Sequence, residues 1–122
     1  MVGAKPSSKP LRMSFKWSCD GKYFSTHVGC LVYVWDVTKL RIAVALVQKN
    51  EVKALRWSPV RNQLAICCGG ECVYLWSPEG ASCVTIPIEK FYPSALEWNP
   101  DGLSLLLHDK GTNYSVAFLN LS

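Results

Sequence analysis

The chain has 122 residues, 49% of them hydrophobic and 18% charged, which is the makeup of a folded domain and excludes a disordered chain. Its net charge of +4 falls short of the clustered Lys/Arg footprint of a nucleic-acid binder, so a solvated surface is the expectation. No apolar run approaches the roughly 18 residues of a membrane span.

The chain opens on Met1-Val-Gly-Ala-Lys-Pro-Ser-Ser-Lys-Pro10, which lacks the apolar stretch of a signal peptide. Residues 1–10 are expected to be a flexible lead-in, with one structured region over 11–122. The default compartment is then cytoplasmic, with the nucleus as the alternative. Cys67, Cys68, Cys72 and Cys83 fall in or beside apolar runs. They read as buried thiols, because a disulfide framework needs an oxidising compartment.

From Leu11 the chain alternates short apolar runs with turn residues. Leu11–Trp17 meets Ser18-Cys19-Asp20-Gly21, whose Asp-Gly predicts a hairpin turn with Gly at positive φ. Tyr23–His27 breaks near Gly29, and Leu31–Asp36 and Ile42–Val47 follow. Val52–Trp57 ends at Ser58-Pro59, Leu64–Cys68 at Gly69-Gly70, and Cys72–Trp76 at Ser77-Pro78-Glu79-Gly80. Cys83–Ile88 contains Pro87, which implies an edge strand. After the loop Glu89–Pro93 come Ala95–Trp98, the turn Asn99-Pro-Asp-Gly102, Leu103–His108, a break at Gly111, and Tyr114–Leu119. Runs of this length and β-rich composition are strands. Leu64–Cys68 and Cys72–Trp76 are nearly continuous in apolar residues, a pattern that requires both faces to be covered.

The runs repeat. The first-strand tryptophans Trp17, Trp57 and Trp98 are 40 and 41 residues apart. The turn glycines Gly29, Gly70 and Gly111 are 41 and 41 apart, and the third-strand aromatics Trp35, Trp76 and Phe118 are 41 and 42 apart. A period of roughly 40–45 with four strands per unit is that of propeller blades. A β-sandwich, the rival all-β arrangement, requires no such phasing. The predicted fold is all-β: about three four-stranded blades of an incomplete β-propeller, over residues 11–47, 52–88 and 94–119.

These units resemble WD repeats. Trp35-Asp36 is the eponymous dipeptide, and Trp57-Ser58-Pro59 and Trp98-Asn-Pro-Asp-Gly102 resemble the end of a blade's first strand and its turn. Trp76 is followed by Ser77, no Gly-His dipeptide opens a repeat, and the Asp-His-Ser-Trp network of strict WD blades is not expected. Three phrases carry a closer resemblance over about Leu11–Leu119: Val32-Tyr-Val-Trp-Asp-Val-Thr-Lys-Leu-Arg41, Leu64-Ala-Ile-Cys-Cys-Gly-Gly70 and Val73-Tyr-Leu-Trp-Ser-Pro78. It is to the C-terminal blades of a centrosomal and spindle-pole WD-repeat family named for a gene antisense to a tumour-suppressor gene.

That resemblance implies a non-enzymatic protein–protein interaction scaffold involved in microtubule anchoring, spindle assembly and cilium formation, with a coiled-coil centrosomal protein as partner. Two alternatives stay open: an RNA- or DNA-associated scaffold of the nucleus, motivated by the positive charge, and a truncated remnant with no independent function. A closed propeller needs at least four blades. Three leave two bare faces, to be met by missing blades or by self-association.

No cofactor, metal, small-molecule substrate or membrane is expected. Cys67-Cys68-x3-Cys72 lacks the paired ligand sets of a zinc site. Cys30 with His27 lacks an evident orienting group for a nucleophile, and Gly69-Gly70 lacks phosphate-loop spacing. Asp109 reads as a turn aspartate holding backbone amides. The candidate partner-binding residues are Phe91 and Tyr92, with the alternative that they fold back over the blade rim. Lys53, Arg56 and Arg61 are further surface candidates.

Overall fold

The computed structural model describes residues 15–80, 83–109 and 116–121. They form eleven strands: β1 (Lys16–Trp17), β2 (Tyr23–Val28), β3 (Leu31–Asp36), β4 (Arg41–Val47), β5 (Ala54–Trp57), β6 (Leu64–Cys67), β7 (Cys72–Trp76), β8 (Val84–Pro87), β9 (Ala95–Trp98), β10 (Ser104–His108) and β11 (Val116–Asn120). β1–β4 and β5–β8 are four-stranded antiparallel meanders, and β9, β10 and β11 form a three-stranded one. These are three blades of an incomplete propeller. β8, with Pro87, is an edge strand, where a missing backbone donor costs no ladder bond. The predicted lead-in, the run before Phe15, Gly111 and Tyr114 lie outside the described residues.

Each blade's first turn is built the same way. At Ser18–Tyr23 the Ser18 hydroxyl accepts from the Tyr23 amide, Asp20 accepts from the Lys22 amide, and Gly21 takes φ 75°. In the second blade the Ser58 hydroxyl accepts from the Val60 amide. In the third, Asn99 accepts from the Asp101 amide and Asp101 from the Leu103 amide. A short polar side chain after the first-strand tryptophan thus satisfies amides that the hairpin leaves unpaired.

Strand pairing sets which residues correspond between blades. Trp17 lies opposite Phe24 and Phe24 opposite Trp35. Trp57 lies opposite Leu64 and Leu64 opposite Trp76. Trp98 lies opposite Leu105, but Leu105 lies opposite Leu119. The third-strand marker of the last repeat is therefore Leu119, and the expectation that Phe118 holds it is corrected. A one-residue slip sends a side chain to the other face of a sheet. Phe118 accordingly points away from blade 2, while Ala117, Leu119 and Leu121 pack toward it. The turn glycines also need refinement. Gly29 has φ 60°, but in the second blade the positive φ is at Gly69 (83°), although Gly70 keeps the spacing. With two glycines in succession, the first takes the left-handed turn.

Two cores lie between the blades. Val32, Val34 and Leu46 of blade 1 meet Leu55, Leu64, Ile66, Cys68 and Trp76 of blade 2. Ala65, Cys67, Val73 and Leu75 on the other face of blade 2 meet Leu96, Trp98, Leu105 and Leu107 of blade 3. All four residues of β6 are buried, which is why its sequence is continuously apolar.

Candidate interaction surfaces

In each blade, the face toward lower residue numbers is here called leading and the opposite face trailing. At the first junction the Trp57 indole Nε1–H reaches the Lys16 carbonyl (3.0 Å) and Ser25 Oγ (3.1 Å) of blade 1. Tyr23 stacks on Trp57 at 6.4 Å between ring centroids and meets Trp76 edge-on at 6.1 Å. At the second junction Trp98 Nε1–H donates to the Arg56 carbonyl at 2.9 Å. Lys16 and Arg56 each immediately precede the first-strand tryptophan of their own blade, so one bond recurs with the repeat.

The outer faces lack this cover. On the leading face of blade 1, Phe15 and Trp17 are each 60% exposed, whereas the counterparts of Phe15, Leu55 and Leu96, are 2% and 3%, and of the counterparts of Trp17, Trp98 is 8% exposed and Trp57 half-buried. Phe24 stacks on Trp35 (5.8 Å, 5° between planes) and touches Trp17 and Phe15 at 5.3 and 6.1 Å. On the trailing face of blade 3, Val116 and Phe118 are 59% and 72% exposed. Their counterparts Val32, Val34 and Val73 are fully buried and Leu75 is 8% exposed.

The predicted partner-binding residues are not brought together. Lys53 is exposed at one end of blade 2, its stem over Gly69. Arg61 lies at the opposite end, where its guanidinium donates to the Gly102 carbonyl at 3.2 Å and ties blade 2 to blade 3. Arg56 is exposed on β5 and donates to the Leu55 carbonyl. The aromatic pair divides: Phe91 packs against the core between blades 2 and 3, while Tyr92 stays half exposed. Phe91 thus folds back over the rim and is corrected as an anchor, because buried Pro93 and two carboxylates draw the loop inward. Glu71 accepts from the Lys90 amide and Asp109 from the Tyr92 amide.

A groove of about 580 Å³ separates blades 1 and 2 on the Arg61 end, lined by Tyr23, Trp76, Asp36, Lys39, Arg41 and Glu79 among others. Asp36 accepts from Thr38 Oγ1 (2.7 Å) and the Lys39 amide (3.0 Å). These bonds, the Thr38 one foremost, hold its carboxyl below the usual range. The Trp76 indole N–H is buried with no partner among the described residues.

The cysteines are set up for packing. Cys67 and Cys68 point to opposite faces of blade 2. Burial pushes their thiols up to about 12 and about 11, away from the thiolate that nucleophilic or metal chemistry uses. Burial likewise pushes Cys83 up and the His27 imidazole down. Among the described residues no group of three or more His, Cys, Asp or Glu is placed to hold a metal, and no helix is long and apolar enough to cross a membrane.

No protein-family model matches the chain. Over 89 residues, 72% of its length, it is 40% identical to mouse WD repeat-containing protein WRAP73. The chain belongs to the WD-repeat β-propeller proteins. It spans 19% of that relative's length. The fold is similar to a chain of the crystal structure of the mitotic checkpoint complex (TM-score 0.70, 18% identity, 88% of this chain and 37% of that one). It is likewise similar to the Myceliophteria thermophila Cps50 (Swd1) β-propeller domain (TM-score 0.73, 14% identity, 93% and 36%).

As WD repeats, the blades keep a reduced hydrogen-bond set. In blade 1 Trp35 Nε1–H donates to Thr26 Oγ1 at 3.4 Å. The position corresponding to Thr26 is Ile66 in blade 2, which leaves the Trp76 indole orphaned. In blade 3 Leu119 needs no acceptor. Ser25 at the first junction and Phe15, Phe24 and Thr26 on the open face of blade 1 escaped the sequence reading. The signal was present 40 residues before Leu55, Leu64, Ala65 and Ile66, but it shows only once strands are paired.

Proposed function

We propose that this chain is a non-enzymatic protein-interaction scaffold of the cytoplasm that works at the centrosome and spindle pole in microtubule anchoring, spindle assembly and cilium formation, with a coiled-coil protein as partner. The observation that carries this reading is the 40% identity to a WD-repeat relative over 72% of the chain. The strand phrases from Val32 to Arg41 and from Leu64 to Pro78 support the centrosomal branch. Propellers host unrelated functions, so the location rests on those phrases and not on the fold. The nucleic-acid alternative needs a continuous basic stripe, whereas Lys53 and Arg61 sit at opposite ends of blade 2.

Affinity purification of the tagged full chain, beside the tagged mouse relative in the same cells, tests the proposal. Recovery of coiled-coil centrosomal and microtubule proteins by both is expected. If the relative recovers them and this chain does not, the scaffold role at that location fails.

A further inference from the structure

We infer that two copies of this chain close head to tail into one ring, with the leading face of blade 1 in each copy seated on the trailing face of blade 3 in the other. The inference goes beyond the proposed scaffold role and does not depend on it.

The chain already contains this junction twice. At both, a leading face presents the residue at the Phe15 position and the first-strand tryptophan, and a trailing face presents the residues at the Val116 and Phe118 positions. Leu55 and Leu96 occupy the first position and are buried; Val32, Val34, Val73 and Leu75 occupy the last two and are buried. Among the described residues the same positions are exposed only at the two outer faces, as Phe15 and Trp17 on blade 1 and Val116 and Phe118 on blade 3. The polar pairing has the same form. Trp57 and Trp98 donate to the carbonyls of Lys16 and Arg56. Trp17 carries the same donor, and Glu97 holds the position of Lys16 and Arg56 on blade 3.

The two bare faces are therefore the complementary halves of one junction, and they sit on one molecule. A depression of about 270 Å³ on blade 3, lined by Ala95, Leu96, Glu97, Leu106, His108 and Val116, is the seat. Its residues correspond to Ala54, Ala65, Cys67 and Val73 of blade 2, which the leading face of blade 3 covers. A second copy meets both faces at once. The three described blades of each copy make six, within the four to eight of closed propellers. Closure also removes the heterologous open ends that would otherwise build fibres.

Sedimentation of the full chain across micromolar concentrations should give the mass of two chains. Trp17→Asp and Phe118→Asp should each sediment as one chain, and an equimolar mixture should recover a two-chain species through its one intact junction. Three results would overturn the inference: a one-chain wild type at all concentrations, a ladder of masses beyond two, or a wild-type pair that survives Phe118→Asp. Circular dichroism reports whether each variant folds. If either does not, hydrogen exchange on the wild type decides. Residues 15–24 and 116–119 should gain protection together as concentration rises, and gain at one segment alone refutes head-to-tail closure.

Discussion

Two tryptophans of blade 2 test what a buried indole donor contributes. Trp57 has two acceptors across the first junction, whereas Trp76 sits 3% exposed with its N–H unpaired among the described residues. Phenylalanine removes similar volume at either site. At 57 it also removes hydrogen bonds of about 1 kcal/mol each, while at 76 it relieves a buried unsatisfied donor worth about 1–3 kcal/mol. Trp57→Phe should therefore cost more stability than Trp76→Phe by about 3–5 kcal/mol in urea denaturation. Equal costs would mean that the Trp76 donor is satisfied. The same scale carries a pH dependence. Burial, then Lys16, lowers the His27 pKa below its usual 6.5, against a weaker opposing pull from Glu51. A depressed folded-state value means that the unfolded chain binds the proton first as pH falls. Stability is then intact above about 6.5 and declines below it. Asp20 and Asp36, both held below 3.8, stay ionised in this window. Urea midpoints should fall between pH 7.5 and 5.5, and less so in His27→Gln. An equal fall in both proteins would assign the effect to another group.

Turns and strands differ in how far the sequence announces them. The Asp20-Gly21 turn and the Pro87 edge strand were readable because each depends on residues that are neighbours in sequence. The phase of Trp17, Trp57 and Trp98 was readable for the same reason, since each closes a first strand ahead of a turn. Phe118 was misplaced because its face depends on the register of β10 against β11, which the spacing of apolar residues leaves undetermined by one position. Phe91 was undecided because two carboxylates from other turns, Glu71 and Asp109, position its loop. The turns themselves give a contrast. Gly21 and Gly102 both have positive φ, but a Cβ on Gly21 meets open space, whereas one on Gly102 would lie 2.3 Å from Val60 Cγ2 and 3.3 Å from Ser58 Oγ. Alanine at 21 should cost about 1 kcal/mol, the left-handed penalty alone. At 102 it should cost about 1–3 kcal/mol more, since overpacking at the tip shared with Arg61 is added. Urea midpoints of the two variants give the comparison; matching losses would mean that the Val60 turn yields freely.

Across the whole molecule, stability should follow cover. Blade 2 has a packed core on both faces, while blades 1 and 3 each have one. Local opening is easiest where few apolar contacts resist it. β6 is interior to its sheet and wholly buried, so freeing its amides requires separating both neighbouring blades. β11 is an edge strand among the described residues, and its outward row is exposed. β4 is likewise an edge strand with most of its side chains outward. Hydrogen exchange at a concentration low enough to hold single chains should therefore give the slowest amides at Leu64–Cys67, with β4 and β11 faster by orders of magnitude. Equal protection in β6 and β11 under those conditions would mean that the blades unfold as one unit. The middle blade would then not be the stable centre around which the other two are held.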